Sequence, residues 1–288
     1  MAERALELAR KAATLLQERG FEQGRLEAEL LLAAVLGIDR LQLYLQHDRP
    51  VAGPELEQFR TSIRRRLRHE PVQYIVGDVP FREIRLAVDP RVLIPRPETE
   101  LLAGEVLRWA QEHGAGGAAL DIGTGSGAIA LSLAREGSFD RVVASDVSPD
   151  ALAVTRANAE RNGLDRQLEL RQGALWDVVA PGERFRVIVS NPPYVADAER
   201  AQLAPEVRDW EPAMALFAGP DGLAVLAPLV AGAAARLEPG GLLALEVGAA
   251  QAGAVCAAAA QAAGLGQPRV VKDLAGRDRI VLVAANAG

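Results

Sequence analysis

The sequence predicts an α/β fold, a doubly wound, Rossmann-like sheet with a small all-helical domain ahead of it. Three observations carry this. From about Ala118 onward, short apolar runs alternate with helix-like stretches, the pattern of stacked βαβ units. A glycine-rich loop, Gly123 to Gly127, follows the first of those runs and opens a helix, the position at which such sheets collect ligands. Before about residue 70, apolar residues recur only at helical spacing.

Leu6, Ala9, Ala13 and Leu16 fall on one helical face, and Gly20 suits the residue beyond a helix end. A second helix spans about Leu26 to Val35 and stops at Gly37; a short segment follows from Leu41 to His47. Pro54 then starts a helix through Leu56, Phe59, Ile63 and Leu67. Arg64, Arg65, Arg66 and Arg68 make its end basic. Cations on a solvated face suit a helix C-terminus; a docking patch for an acidic or nucleic-acid partner is the alternative. Pro71 ends the helical region, and Val72 to Gly77 with Phe81 to Val88 read as a β-hairpin around Gly77 to Pro80. Pro90, Pro95 and Pro97 stiffen the next segment, and Glu98 or Thr99 opens a helix to about Ala110. Strands are expected at Ala118 to Ile122, Arg141 to Ser145, Leu168 to Leu170, Phe185 to Val189, Gly241 to Glu246 and Arg279 to Val283. Helices between them include Ala128 to Ala134, Pro149 to Asn162, Gly222 to Leu237 and Gln251 to Ala263. The expected organisation is a helical domain over 1–72, a hairpin linker over 73–95 and an α/β domain over 96–288.

The bulk numbers narrow the function. Of 288 residues, 49% are apolar and 24% charged, enough to fill a core, and the net charge of -6 excludes a generally basic nucleic-acid coat protein. Cys256 is the lone cysteine, which excludes an internal disulfide framework; in an alanine-rich helical stretch it reads as a small core residue rather than a nucleophile. His47, His69 and His113 lack ligand spacing, so no metal site is expected. The N-terminus lacks an apolar signal core, and no run approaches the length of a membrane span. A cytoplasmic protein is expected.

Two loops carry the chemistry. Asp121-Ile122-Gly123-Thr124-Gly125-Ser126-Gly127 has the spacing D-x-G-x-G-x-G rather than that of a dinucleotide loop, and no Lys-Ser/Thr pair makes it a phosphate loop. Its glycines let a ligand approach backbone N–H groups without a Cβ in the way. Asp146 ends the next strand, about 20 residues on, where an acid accepts from the two hydroxyls of a ribose. Capping the following helix falls more naturally to Ser148. A nucleoside cofactor follows. The second loop, Ser190-Asn191-Pro192-Pro193-Tyr194-Val195, sits at the carboxyl end of an apolar strand. Two consecutive prolines fix two φ angles and stiffen it. The Asn191 side-chain oxygen and the Pro192 carbonyl then act as two fixed acceptors beside the flat Tyr194 ring, which suits a planar –NH2 group.

Glycine loop, ribose acid and Asn-Pro-Pro-Tyr in this order resemble the class I S-adenosylmethionine-dependent methyltransferases that act on amide or exocyclic amine nitrogen. Within these, the chain is similar to the HemK/PrmC family, the peptide chain release factor glutamine methyltransferases. Leu93 to Glu100, Pro71-Val72-Gln73-Tyr74, and Leu245-Glu246-Val247-Gly248 followed by Gln251 carry the likeness, with the helical domain in front. The resemblance implies a seven-stranded sheet and a helical domain that recognises the substrate. It implies transfer of a methyl group to N5 of the glutamine in the Gly-Gly-Gln loop of class 1 release factors, leaving S-adenosylhomocysteine. It places the cofactor on Asp121, Gly123, Thr124, Gly125, Ser126, Gly127, Asp146, Leu175 and Asn191. The substrate glutamine falls to Asn191, Pro192, Pro193 and Tyr194, with Asn191, Pro192 and Tyr194 catalytic. Release factors are the expected partners, with no membrane and no nucleic-acid substrate, and the protein is expected to be monomeric. One departure stands out: the family's Gly-Asp-Leu/Trp-Phe after the third strand is Gly173-Ala174-Leu175-Trp176 here, so the acid facing the adenine edge is missing and Leu175 and Trp176 are left to cover the base. Glu98, Thr99 and Glu100 either line the cofactor pocket or cap their helix. The alternative activity is adenine-N6 or cytosine-N4 methylation of a flipped nucleic-acid base, which uses the same acceptor pair.

Overall fold

The computed structural model describes residues 3–114 and 116–287. In chain order the elements are β1 (Glu3–Arg4), α1 (Ala5–Glu18), α2 (Gly24–Leu36), α3 (Arg40–Leu45), β2 (Pro50–Val51), α4 (Gly53–Arg66), α5 (Val72–Val76), β3 (Asp78–Phe81) and β4 (Ile84–Ala87). There follow α6 (Pro97–His113), β5 (Ala118–Ile122), α7 (Ala128–Glu136), β6 (Arg141–Asp146), α8 (Pro149–Asn162), β7 (Leu168–Gln172), β8 (Phe185–Ser190) and α9 (Pro205–Arg208). The chain ends with α10 (Leu226–Ala233), β9 (Leu237–Glu246), α11 (Ala252–Gln261), β10 (Arg269–Lys272) and β11 (Asp278–Ala284).

The chain divides into two compact units, one of Met1–Asp78 with Ala204–Trp210, the other of Val79–Leu203 with Glu211–Gly288. The first is helical around its own core of Leu16, Leu31, Leu32, Leu43, Phe59 and neighbours. Half of its basic helix end is committed internally. Arg66 is buried, stacks 4.3 Å from the Phe21 ring centroid and pairs with Glu27 at 2.9 Å, while Arg65 holds Glu70 at 2.5 Å. Arg64 and Arg68 stay exposed, so half of the candidate docking patch resolves into structural ion pairs.

The second unit is built on a seven-stranded sheet in the order β10-β11-β9-β8-β5-β6-β7. β9, β8, β5, β6 and β7 run parallel, and β11 is antiparallel to both its neighbours. Strand alternation sends successive residues to opposite faces. Leu120, Ile122, Ile188, Leu243 and Leu245 pack toward α10 and α11; Ala119, Val187, Val189, Leu242 and Ala244 pack toward α6 and α7. Order reverses between β5 and β8, the switch point at which open α/β sheets bind ligands.

Three elements differ from expectation. Val72 to Val76 is a short helix rather than the first hairpin strand. Its β-branched residues look strand-like, but Pro71 begins a helical turn and Gly77, at φ 77°, ends it in the left-handed region with its N–H bonded to the Gln73 carbonyl. The hairpin is β3 and β4, turning at Arg82, whose φ of 47° is unusual outside glycine. Arg82 is held there by Glu136 and by hydrogen bonds to Glu100. Next, the expected helix from Gly222 to Leu237 narrows to α10, because Gly222 takes φ 72° and Leu237 already starts β9. Finally, the seventh strand is β10, four residues with Arg269 and Lys272 at its ends; short charged edge strands give little sequence signal.

Candidate active site

The two candidate loops emerge side by side. β5 and β8 pair in parallel with Asp121 opposite Val189, and the Ser190 hydroxyl donates to the Ile122 carbonyl at 2.6 Å. The glycine loop and Asn191 to Tyr194 therefore leave adjacent strands at one carboxyl edge.

In the first loop Gly123, Gly125 and Gly127 have φ of 74°, 56° and 84°. A Cβ on Gly123 or Gly125 would meet nothing within 4 Å, so the space in front of both is open. A Cβ on Gly127 would instead lie 2.9 Å from Thr155 Cγ2, where α7 and α8 come together. Thr155 Oγ1 donates to the Gly125 carbonyl at 2.8 Å and Asn158 Nδ2 to the Ser126 carbonyl at 2.9 Å, turning loop carbonyls toward α8. Asp121 is fully buried. Its Oδ2 accepts from Thr124 Oγ1 at 2.7 Å and from the Ala130 N–H at 3.2 Å, and its Oδ1 has no hydrogen-bond partner among the described residues. Burial pushes its carboxyl up to about 7. An orphaned buried carboxylate oxygen beside open glycines fits a ligand that brings positive charge.

Asp146 ends β6 and accepts from the Gly125 N–H at 3.0 Å and the Ser148 N–H at 2.9 Å. Each carboxylate oxygen keeps a lone-pair site for a hydroxyl. Ser148 is the N-cap of α8, its Oγ accepting from the Ala151 N–H at 3.2 Å, so Asp146 is released from capping. Beyond β7, Leu175 takes φ 47° and Trp176 turns to α10, donating its indole N–H to the Pro228 carbonyl at 2.9 Å beneath Arg236. Gly232 leaves room for that ring, since a Cβ there would lie 2.1 Å from Trp176 Nε1. Of the two residues expected to cover a base, Trp176 has its polar edge committed to α10.

In the second loop Pro192 is buried and Asn191, Pro193 and Tyr194 are half-buried. Asn191 follows Val187 and Val189 onto the α6 face of the sheet, where its Nδ2 donates to Thr99 Oγ1 at 2.9 Å. The Tyr194 hydroxyl donates to Glu246 Oε1 at 3.2 Å, and its carbonyl accepts from Gln251 Nε2 at 2.8 Å. Burial, then the nearby Glu246 charge, raise the Tyr194 phenol. Gly222 packs against the same carbonyl, where a Cβ would lie 2.2 Å away.

Glu98, Thr99 and Glu100 divide. Glu98 faces Arg277 at 3.6 Å and Glu100 accepts from the Arg82 N–H at 3.2 Å, while Thr99 alone of the three bonds into the site. Glu246 and Gln251 entered the sequence reading only as part of a matching tail. The signal for Glu246 is an acid closing the apolar run Leu242 to Leu245 at the carboxyl edge. Cys256 packs half-buried against the core, its thiol raised by burial. Among the described residues no cluster of His, Cys, Asp and Glu could hold a metal ion, and no helix is long and apolar enough to cross a membrane.

Comparison with known proteins bears on this site. The family model described as PrmC N-terminal domain matches residues 7–77, and that described as Methyltransferase small domain matches residues 99–207. The chain is 45% identical over 237 residues to the release factor glutamine methyltransferase of Geobacter sulfurreducens, covering 82% of this chain and 81% of the relative. It is 42% identical to the protein of that name from Cereibacter sphaeroides, covering 96% and 97% of the two chains. Identity to the one from Deinococcus radiodurans is also 42%, covering 96% of each. Among solved structures, a methyltransferase from Pyrococcus furiosus shares the fold with a TM-score of 0.53 at 22% identity, over 71% of this chain and 90% of that one. The T. thermophilus 16S rRNA N2 G1207 methyltransferase, in complex with AdoMet and guanosine, does so with a TM-score of 0.52 at 20% identity, over 73% and 49%.

Proposed function

The chain belongs to the release factor glutamine methyltransferase family, and from that premise we propose that it methylates N5 of the glutamine in the Gly-Gly-Gln loop of class 1 peptide chain release factors. S-adenosylmethionine is the methyl donor and S-adenosylhomocysteine the product. The observation that carries the reading is the emergence of the glycine loop and of Asn191 to Tyr194 from paired parallel strands at the switch point, which brings a nucleoside cradle next to a pair of amide acceptors.

The cofactor supplies a methyl group on a sulfonium, open to direct displacement. An amide nitrogen is a poor nucleophile, because its lone pair is delocalised into the carbonyl. Asn191 Oδ1 and the Pro192 carbonyl accept its two N–H bonds, aim the nitrogen, and favour the positive charge that develops on it. Tyr194 lies against the amide plane. No strong base is needed, since the proton can leave after transfer. Asp146 receives the ribose hydroxyls, Gly123 to Gly127 give the cofactor backbone access, Leu175 covers the base, and Asp121 answers the cofactor's positive charge. Residues 1–72 recognise the release factor, residues 73–95 link, and residues 96–288 carry the chemistry. A monomer acting in the cytoplasm, where translation factors work, completes the proposal.

The test uses the purified protein with labelled S-adenosylmethionine and, in separate tubes, a release factor, the same factor with its loop glutamine changed, and duplex DNA. Label in the first tube alone supports the glutamine reading. Label in DNA moves the case to a nucleic-acid amine.

A further inference from the structure

An asparagine at this position helps an incoming –NH2 group only if it presents its oxygen and hides its nitrogen. We infer that a buried relay from Glu246 through Thr99 makes that choice, so that Glu246 and Thr99 are positioning residues for Asn191. The inference rests on the glutamine reading above and deepens it by naming what fixes the polarity of the acceptor pair.

Strand register brings the parts together. β8 and β9 are parallel with Ser190 opposite Leu245, so Asn191 and Glu246 are the next residues along neighbouring strands. Both follow residues that face α6, Val189 and Ala244, and the first turn of α6 supplies Thr99 between them. Thr99 Oγ1 donates to Glu246 Oε2 at 2.8 Å, and Asn191 Nδ2 reaches Thr99 Oγ1 at 2.9 Å. Tyr194 donates its hydroxyl to the other oxygen, Glu246 Oε1, at 3.2 Å. Glu246 is 1% exposed and Thr99 4%, so water does not substitute for either.

Proton counting sets the direction. An ionised carboxylate only accepts, so both hydroxyls give it their hydrogen. Thr99 has one hydrogen, and once it points at Glu246 its oxygen can only accept. The only side-chain donor group on Asn191 is its –NH2, which therefore turns one N–H to Thr99 and leaves Oδ1 on the opposite side of the amide for the substrate. Turning the Asn191 amide over would oppose two acceptors in a buried place, which disfavours that orientation about 10- to 100-fold.

The relay holds its direction only while Glu246 is ionised; a protonated Glu246 can donate to Thr99 and free the Thr99 hydrogen to turn toward Asn191. The groups facing Glu246 are Thr99 and Glu98 from α6, Tyr194 from the loop after β8, and Arg279 from β11. Arg279 favours the ionised form and Glu98 opposes it, while burial pushes the carboxyl up to about 7. Arg279 is itself steered by the Val247 carbonyl at 3.3 Å and Asp273 at 3.5 Å.

The test combines the side-chain amide resonances of Asn191 in the ¹⁵N-labelled full chain with steady-state methylation of a release factor. Thr99→Val should shift the Asn191 –NH2 signals and speed their exchange. It should lower kcat about 10- to 100-fold. Thr99→Ser, which keeps the hydroxyl, should restore most of the rate. The wild type should lose kcat as pH falls through neutrality, and Glu246→Gln should remove that acid limb. Asn191 signals unmoved by Thr99→Val would overturn the relay, whatever the substrate. Moved signals with wild-type kcat would overturn its role in positioning. A wild type that leaves the release factor unmethylated sinks the proposed function instead, and the Asn191 signals alone then decide whether the relay exists.

Discussion

In the proposed reaction Asn191 works through its oxygen, while its nitrogen is held on Thr99. On that reading, replacing it with alanine removes an acceptor aimed at charge that develops only in the transition state. Asn191→Ala should therefore lower turnover by about 10²-fold or more, the size seen when one oxyanion-hole donor is lost. Near-wild-type turnover would remove Asn191 from the mechanism. Two other residues leave a trace in the pH dependence of stability. Asp121 and Glu246 are pushed up to about 7 from ordinary values of 3.8 and 4.5. Between those limits the folded chain keeps protons that the unfolded chain has released, so stability falls as pH rises through the window. The Tm of the protein without cofactor should drop between about pH 4 and pH 7, and Asp121→Asn with Glu246→Gln should flatten that drop. A Tm that climbs over the same range in the double variant and wild type alike would show that neither carboxyl dominates. Ligand binding responds in the opposite sense: a cofactor with positive charge favours ionised Asp121, so its affinity should rise through neutral pH and lose that rise in Asp121→Asn.

At the scale of elements, single side chains latch one piece to another. Asn158 on α8 is fully buried and bonds the Ala87 N–H at 2.7 Å, the Ala87 carbonyl at 3.0 Å and the Ser126 carbonyl at 2.9 Å. It fastens the β3–β4 hairpin and the glycine loop to the same helix. Asn158→Ala leaves those buried groups without partners and should cost about 2–5 kcal/mol in denaturant unfolding, together with weaker cofactor binding. Gly222 does for the second loop what Asn158 does for the first. Its φ of 72° and the Tyr194 carbonyl where a Cβ would sit leave no room for a side chain. Gly222→Ala should cost about 1–3 kcal/mol and displace Tyr194, so that kcat falls further than the loss of stability accounts for. A variant with normal kcat would show that the Tyr194 backbone tolerates the shift.

For the molecule as a whole, charge and connectivity matter. A net charge of -6 works against broad binding to a polyanion, and Arg65 and Arg66 spend their charge on Glu70 and Glu27 within the helical unit. Duplex DNA should accordingly neither accept label nor compete with a release factor in the methylation assay. Inhibition by DNA that vanishes on replacing Arg64 and Arg68 would reopen the nucleic-acid alternative. Sheet order has a consequence at this scale too. Because β8 lies beside β5 rather than β7, residues almost seventy positions apart share one edge, as the Ser190 to Ile122 hydrogen bond records.

The amino-acid sequence alone determined the class of fold, the alternation of strands and helices, and the two loops proposed as the site. Each of these is local: period-two or period-3.6 apolar spacing, a run of glycines, two adjacent prolines. It also distinguished Ser148 from Asp146 as the cap of α8, since capping is decided within one turn. It misread Val72 to Val76, where strand-like composition competed with the Pro71 start and Gly77 stop, and burial of Val72 in the helical core settled the outcome. It passed over β10, an edge strand whose pairing with β11 rather than its composition makes it a strand. Tertiary structure alone decided which polar groups meet. Thr99, Asn191, Tyr194 and Glu246 come from three separate stretches of chain, and only the parallel register of β8 with β9 and the placement of α6 across them join their hydrogen bonds into one network. Hydrogen bonds act over about 3 Å, whereas sequence patterns report on neighbours along the chain; this network was therefore closed by folding.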